Sequence, residues 1–376
     1  MKSNLNQSQL AVVNFVQAQL GADMRCTTNL DLSLCAKWCP SISTSSRETR
    51  RVAHILAKAM GVTPAKYRKT LSALRTRLNV LEKTMSAGEW ESIDFEAVPS
   101  KAGLLYKKAF SVHQAERYVA YLAAVKKGDA KINSGTLFPY EIIRDIAHGG
   151  GNSDTVDALW NNLPDYLKDN PRNVLVLPDV SGSMMSAHGT TVSPIWVSIS
   201  LAIYCAQRNT GLFKDHFLEF SATAKLRRVT SKSITAAWNE VRTSTTWCGS
   251  TNLQSAFDAI LSTAVSARIP ASEMPASLVI ISDMEFDSAC NSNSSTNFEV
   301  AKQKYRNAGY ELPNIVFWNV AAHNDQSPVK MDERGVALVS GCSPSTFKEV
   351  MSESWSNPYE LMLETINADR YASVVV

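Results

Sequence analysis

The chain has 376 residues, 38 Lys+Arg against 35 Asp+Glu and a formal net charge of +3, more than one hydrophobic core usually fills, so two domains are expected. Its 45% hydrophobic and 19% charged fractions exclude a disordered or collagen-like chain. No apolar run approaches the roughly 18 residues that span a bilayer, and Met1-Lys2-Ser3-Asn4-Leu5 opens no signal peptide, so neither secretion nor membrane insertion is expected.

Cys26, Cys35 and Cys39 come first, with His54 beyond them. Their spacing fits no common zinc pattern and reads as buried thiols. With Cys205, Cys248, Cys290 and Cys342 they form an odd, scattered set, the usage of a reducing compartment. The expected location is cytoplasmic.

The first part of the chain is helical in pattern. After Ser45-Ser46-Arg47-Glu48, the residues Val52, Ile55, Leu56 and Ala59 recur at helical spacing, and Gly61 closes the segment. Thr63-Pro64 then supplies a cap and a first-turn proline for a helix carrying Tyr67, Leu71, Leu74 and Leu78. Pro99 begins another, with Leu104, Leu105, Ala109 and Phe110, and residues 114–126 read as one more. Short helices with short joints predict an all-α array, of a kind that repeat proteins also use, although no internal repeat stands out.

Charge divides the chain. Residues 1–150 hold 21 Lys+Arg against 12 Asp+Glu, a balance of +9, and the rest hold 17 against 23, a balance of −6. In the window Arg47, Arg50, Arg51, Lys58, Lys66, Arg68, Lys69, Arg75, Arg77 and Lys83, only Glu48 and Glu82 oppose the positive charge. Two readings stay open, a solvated helix face and a surface for a polyanion such as RNA. At the joint, His148-Gly149-Gly150-Gly151-Asn152 reads as a hinge. The expected division is a basic helical domain over 1–150, a linker over 151–171 and an α/β domain over 172–376.

Beyond the joint strands and helices alternate. Val174-Leu175-Val176-Leu177 is apolar throughout, as a strand buried on both faces requires. Residues 194–207 predict a long apolar helix, 217–220 and 225–229 two strands with the second nearer an edge, 253–264 a helix, 278–281 a strand and 297–308 a helix. Residues 315–320 and 336–339 predict the last strands, and 345–351 and 358–367 the last helices. Strict alternation predicts a mostly parallel sheet covered on both faces, whose ligands bind at the carboxyl ends of the strands.

Three such ends carry hard oxygens. They are Asp179-Val180-Ser181-Gly182-Ser183, Gly249-Ser250-Thr251-Asn252 and Ser282-Asp283-Met284-Glu285-Phe286-Asp287. Carboxylates and hydroxyls without imidazole suit Mg²⁺ or Ca²⁺ rather than zinc or copper. On these residues the chain resembles the von Willebrand factor A-type family, whose metal-ion-dependent adhesion site reads Asp-x-Ser-x-Ser, then Thr, then Asp. Asp179, Ser181, Ser183, Thr251 and Asp283 match all five positions. The resemblance implies an α-helical domain followed by a Rossmann-like A-type domain that binds Mg²⁺ (or Ca²⁺/Mn²⁺). In it the serines and the threonine contact the ion directly or through water and the aspartates act mostly through water. One coordination position is left for an Asp or Glu carboxylate of a protein partner.

Pro99-Ser100-Lys101-Ala102, residues 106–110 and 130–139, Ile315-Val316-Phe317-Trp318-Asn319 and residues 335–341 further resemble a domain-of-unknown-function branch of these proteins, over residues 45–376. More distantly the arrangement is similar to Ro (TROVE-type) ribonucleoproteins, in which helical repeats bind RNA. No Gly-x-Ser-x-Gly elbow, phosphate-binding Gly-x-x-x-x-Gly-Lys loop or His-Glu-x-x-His motif is present, and Cys248 and Cys290 read as bystanders to the metal loops. The expected function is therefore non-enzymatic, metal-dependent protein binding. The alternatives are an RNA-binding particle component and an accessory subunit of an AAA-type ATPase.

Overall fold

The computed structural model describes residues 5–151, 153–168, 173–185, 192–219, 224–244, 252–283, 294–320, 336–341 and 344–352, with isolated positions beyond. By packing, the chain divides into two units, residues 1–95 and 96–376.

The first unit contains α1 (Gln7–Arg25), α2 (Cys35–Trp38), α3 (Arg47–Ala59), α4 (Pro64–Arg77) and α5 (Leu81–Ala87). Side-chain caps fix where three of them begin. Asn6 accepts from Gln9 N, Ser46 from Thr49 N and Thr63 from Lys66 N. Tyr67, Leu71 and Leu74 of α4 are buried with Leu20 of α1, Ala36 of α2 and Ala53 and Ala57 of α3. Here the expected face of α3 is turned: Ala53 and Ala57 face inward with Leu56 beside them, while Val52 is 48% exposed. Alanines four residues apart let helices approach closely, and a β-branched side chain in their place would hold them off.

The second unit begins with four helices, α6 (Ser100–His113), α7 (Ala115–Lys127), α8 (Pro139–Ala147) and α9 (Ser153–Asn161). The chain then alternates through β1 (Val174–Pro178), α10 (Pro194–Arg208), β2 (His216–Glu219), β3 (Lys225–Arg228), α11 (Ile234–Ser244) and α12 (Leu253–Ala267). It continues with β4 (Ser277–Ser282), α13 (Ser294–Asn307), β5 (Asn314–Asn319), β6 (Val336–Ser340) and α14 (Pro344–Ser352). Strands β1-β4-β5-β6 form a parallel sheet in that order. An antiparallel β2–β3 pair lies beside β1, and β3 is its exposed member.

The central strands bury both faces. Val174, Val176, Val279, Ile281, Val316 and Trp318 share a core with α10, itself nearly all buried. Leu175, Leu177, Leu278, Ile280, Ile315 and Phe317 share a second core with Phe257 and Ile260 of α12 and Ala301 and Tyr305 of α13. Period-two alternation between two cores produces the Rossmann-like architecture that the alternating sequence predicts.

The helices just before the sheet are part of this unit. Ile142 and Ile143 of α8 and Leu159 and Trp160 of α9 join the α10 core, and Trp160 Nε1 donates to Gln207 Oε1 at 2.7 Å. Where a linker over 151–171 is expected, α9 is therefore packed. The division by packing falls at Phe95/Glu96 rather than near residue 150. The glycine run read as a hinge is a helix stop. Gly149 has φ +76°, and the N–H groups of Gly149 and Gly150 donate to the Ile146 and Asp145 carbonyls at 3.0 and 2.8 Å. The expected helix over 358–367 lies largely outside the described residues.

Candidate functional site

Parallel strands bring their carboxyl ends to one edge, and β1 and β4 are neighbours there, with Pro178 opposite Ile281. Asp179 leaves β1 with its N–H donating to the Ile281 carbonyl at 2.9 Å. Asp283 leaves β4 directly after Ser282. Both carboxylates are buried.

Asp179 is held from two sides. The Ser181 N–H donates to its Oδ1 at 2.8 Å, closing an Asx turn that bends the chain after β1. Ser282 Oγ donates to its Oδ2 at 2.7 Å. Burial pushes its pKa above the ordinary carboxylate range, hydrogen bonds from Ser282 and Ser181 work against that, and the neighbouring Asp283 charge adds to the rise. The loop then presents two half-buried hydroxyls, Ser181 Oγ and Ser183 Oγ, 3.1 Å apart.

This donor set fits a small hard cation. Two ligands in adjacent positions of an octahedron with bonds near 2.1 Å stand about 3.0 Å apart, close to the separation of the serine oxygens. Two carboxylates side by side at a sheet edge also need a compensating positive charge when both ionise. Among the described residues no cluster of three or more His, Cys, Asp or Glu has the arrangement of a metal site, so any ion here relies on hydroxyls as well as carboxylates. Four of the five expected residues, Asp179, Ser181, Ser183 and Asp283, are brought together. Thr251, with Cys248, Gly249 and Ser250, lies outside the described residues, as do Cys290, Cys342 and residues 284–287. Next to Thr251, Asn252 caps α12 by accepting from Ser255 N at 3.1 Å.

Ser282 is the site residue that the motif alone leaves without a role. Its signal is a hydroxyl closing a fully buried strand directly after the apolar run Leu278–Ile281, where a polar side chain persists only with a partner.

The basic residues of the first unit sort into two groups. Arg47, Arg50, Arg51, Lys58, Lys66, Arg68, Lys69 and Lys83 are exposed. Arg75 and Arg77 are engaged inward. Arg75 donates to Ala36 O at 2.8 Å, Ser41 Oγ at 2.6 Å and Cys39 O at 2.6 Å. Arg77 donates to Asn29 Oδ1 at 3.1 Å, Asp23 O at 3.1 Å and Cys26 O at 2.7 Å. These two guanidiniums hold the segment between α1 and α3 onto α4. Cys35 and Cys39 face each other with sulfurs 3.9 Å apart, and burial pushes the Cys35 thiol up to about 12. A thiol so raised is protonated and a poor ligand at neutral pH.

The model for the family "Domain of unknown function (DUF7788)" matches residues 173–370, just over half of the chain. The chain belongs to the DUF7788 family. The DUF7788 segment begins one residue before β1 and contains all five candidate metal residues. Upstream of it, the model for "Domain of unknown function (DUF2828)" matches residues 56–172. "Uncharacterized protein L728" of Acanthamoeba polyphaga mimivirus is 30% identical over 357 residues, 90% of this chain and 61% of its own length. The DUF7788 chain thus spans less than two thirds of that relative. Among solved structures, that of the Deinococcus radiodurans RO (RSR) protein aligns with a TM-score of 0.44 at 14% identity, covering 93% of this chain and 77% of that one. No helix among the described residues is long and apolar enough to cross a membrane.

Proposed function

We propose that the α/β unit is a non-enzymatic binding module. It holds a divalent cation, Mg²⁺ or in its place Ca²⁺ or Mn²⁺, at Asp179, Ser181, Ser183, Thr251 and Asp283, and offers it to an Asp or Glu carboxylate of a protein partner. The observation that carries this reading is the pairing of two buried carboxylates with two hydroxyls 3.1 Å apart at the carboxyl ends of adjacent parallel strands. A bound dication supplies the charge that balances Asp179 and Asp283 and an electrophile for an incoming carboxylate. Ser282 Oγ and the Ser181 N–H hold the Asp179 carboxylate at the head of the serine loop.

The test is isothermal titration of the full chain with Mg²⁺ and Mn²⁺, alongside a pull-down in Mg²⁺ eluted with EDTA. Asp179→Ala and Asp283→Asn are expected to abolish both metal binding and EDTA-sensitive capture. Partner capture that ignores EDTA, or an Asp179→Ala chain that binds metal as the parent does, rejects the reading.

A second reading concerns the first unit. The eight exposed basic side chains on and around α3 to α5 favour a polyanion, nucleic acid in particular. Such binding falls steeply with salt and survives EDTA, which separates it from the metal-dependent activity.

A further inference from the structure

A groove of about 820 Å³ runs between α2, α4 and α5 inside the first unit. That volume lies within the roughly 300–1,000 Å³ of ligand clefts. Lys37, Arg68, Lys69 and Lys83 line it, opposed by the single carboxylate of Glu82. No salt bridge among the described residues engages Lys37, Arg68 or Lys69. Trp38 also lines the groove, with 76% of its surface exposed and the Lys37 ammonium 5.7 Å from its ring centre. The bonds from Arg75 to the Ala36 and Cys39 carbonyls pin α2 to α4, so the indole is set in place relative to the cations of α4.

We propose that this groove binds single-stranded nucleic acid, with a base stacked on Trp38 and phosphates against Lys37, Arg68, Lys69 and Lys83. The proposal rests on the polyanion reading of the first unit and gives it a place and a strandedness. Cations alone attract any polyanion. A large exposed indole among them adds a flat apolar surface that an unpaired base can cover. A duplex keeps its base faces stacked inside and leaves Trp38 without a contact, and stacking of this kind tolerates any base sequence.

The experiment uses the full chain in EDTA and a fluorescent oligo(U) of about 15 nucleotides, near the upper site size of single-strand binders. Anisotropy is followed across a salt series, with a duplex of equal length and polyglutamate as comparisons. Trp38→Ala is expected to weaken binding roughly 5- to 100-fold. Because the side chain is mostly in solvent, its melting temperature should match the parent's. The triple variant Lys37→Gln, Arg68→Gln, Lys69→Gln should reduce the slope of log K on log salt by about 2. Parent-like binding by both variants overturns the groove while leaving the polyanion reading of the unit intact. Duplex or polyglutamate binding as strong as oligo(U) overturns the single-strand assignment. A chain that binds no oligonucleotide even at low salt overturns the groove and the polyanion reading together.

Discussion

Ser282 and Asp179 stand 103 positions apart in sequence and are joined by a hydrogen bond of 2.7 Å between two wholly buried side chains. The bond crosses from the end of β4 to the residue after β1, so it links the two halves of the candidate metal site. Ser282→Ala leaves one oxygen of a buried carboxylate without this donor and is expected to cost about 1–3 kcal/mol in urea unfolding in EDTA. In a double-mutant cycle with Asp179→Asn, the two changes should be non-additive by about 0.5–3 kcal/mol. Strict additivity would mean that the bond contributes nothing.

Gly150 is tightly fitted against α8. A Cβ there would lie 2.1 Å from Asp145 Oδ2 and 2.7 Å from the Asp145 carbonyl oxygen. Asp145 in turn pairs at 2.7 Å with the buried ammonium of Lys107. Gly150→Ala should therefore destabilise the second unit by about 2 kcal/mol or more, through overpacking and displacement of that ion pair. A Cβ on Gly151 meets nothing within 4 Å, and Gly151→Ala should leave the thermal midpoint almost unchanged. Equal behaviour of the two variants would refute the close fit.

Arg75 and Arg77 should behave as structural residues. Replacing either by Met leaves backbone carbonyls of the segment after α1 unpaired, at an expected cost of about 2–3 kcal/mol. Lysine cannot reproduce the fork of donors and should restore little. Hydrogen exchange over residues 23–41 reads the effect locally. Arg68→Gln and Lys69→Gln, on exposed side chains, should stay within about 0.5 kcal/mol of the parent.

Glu240 predicts a pH dependence. Burial alone would raise its pKa, but hydrogen bonds from the backbone and side chains of Thr230 and Ser231 outweigh burial and hold it below the ordinary glutamate range. A carboxylate depressed in the folded state adds stability above its unfolded value, about 4.3, and that contribution is lost as pH falls through the folded value. Glu240→Gln is expected to be less stable than the parent by roughly 0.5–1 kcal/mol at neutral pH, after screening by solvent. The gap should narrow as pH falls below the ordinary glutamate value toward the lower folded one. Denaturant midpoints measured from pH 3 to 7 would refute this if the gap were constant.

The parallel sheet is legible in the sequence because its strands are apolar on both faces, a pattern that few other structures tolerate. Asp179, Ser181, Ser183 and Asp283 are legible because hard oxygens fall directly after two such strands. Other features depend on partners far along the chain. Nothing near Arg75 or Arg77 tells a solvated cation from one donating to carbonyls of a segment more than thirty positions earlier. The inward face of α3 is set by the helix it meets, so alanines displaced the larger Val52 and Ile55. Glycines at 149–151 suggest freedom in isolation, whereas the hydrogen bonds to Ile146 and Asp145 make Gly149 and Gly150 a fixed stop. Trp38 carries a signal only in three dimensions, where α4 and α5 surround it with charge.

The pairing of β1 with β4 also has a consequence during synthesis. A ribosome adding roughly 5–20 residues per second needs about 5–20 s to cross the 103 positions from Asp179 to Ser282. The same delay separates the emergence of Val174–Pro178 from that of its hydrogen-bonded partner β4, and until then an apolar segment is exposed on which nascent chains can stick to one another. Translation pauses between those positions would lengthen the exposure, and a holdase chaperone acting on this window would raise the yield of native protein more than one acting later.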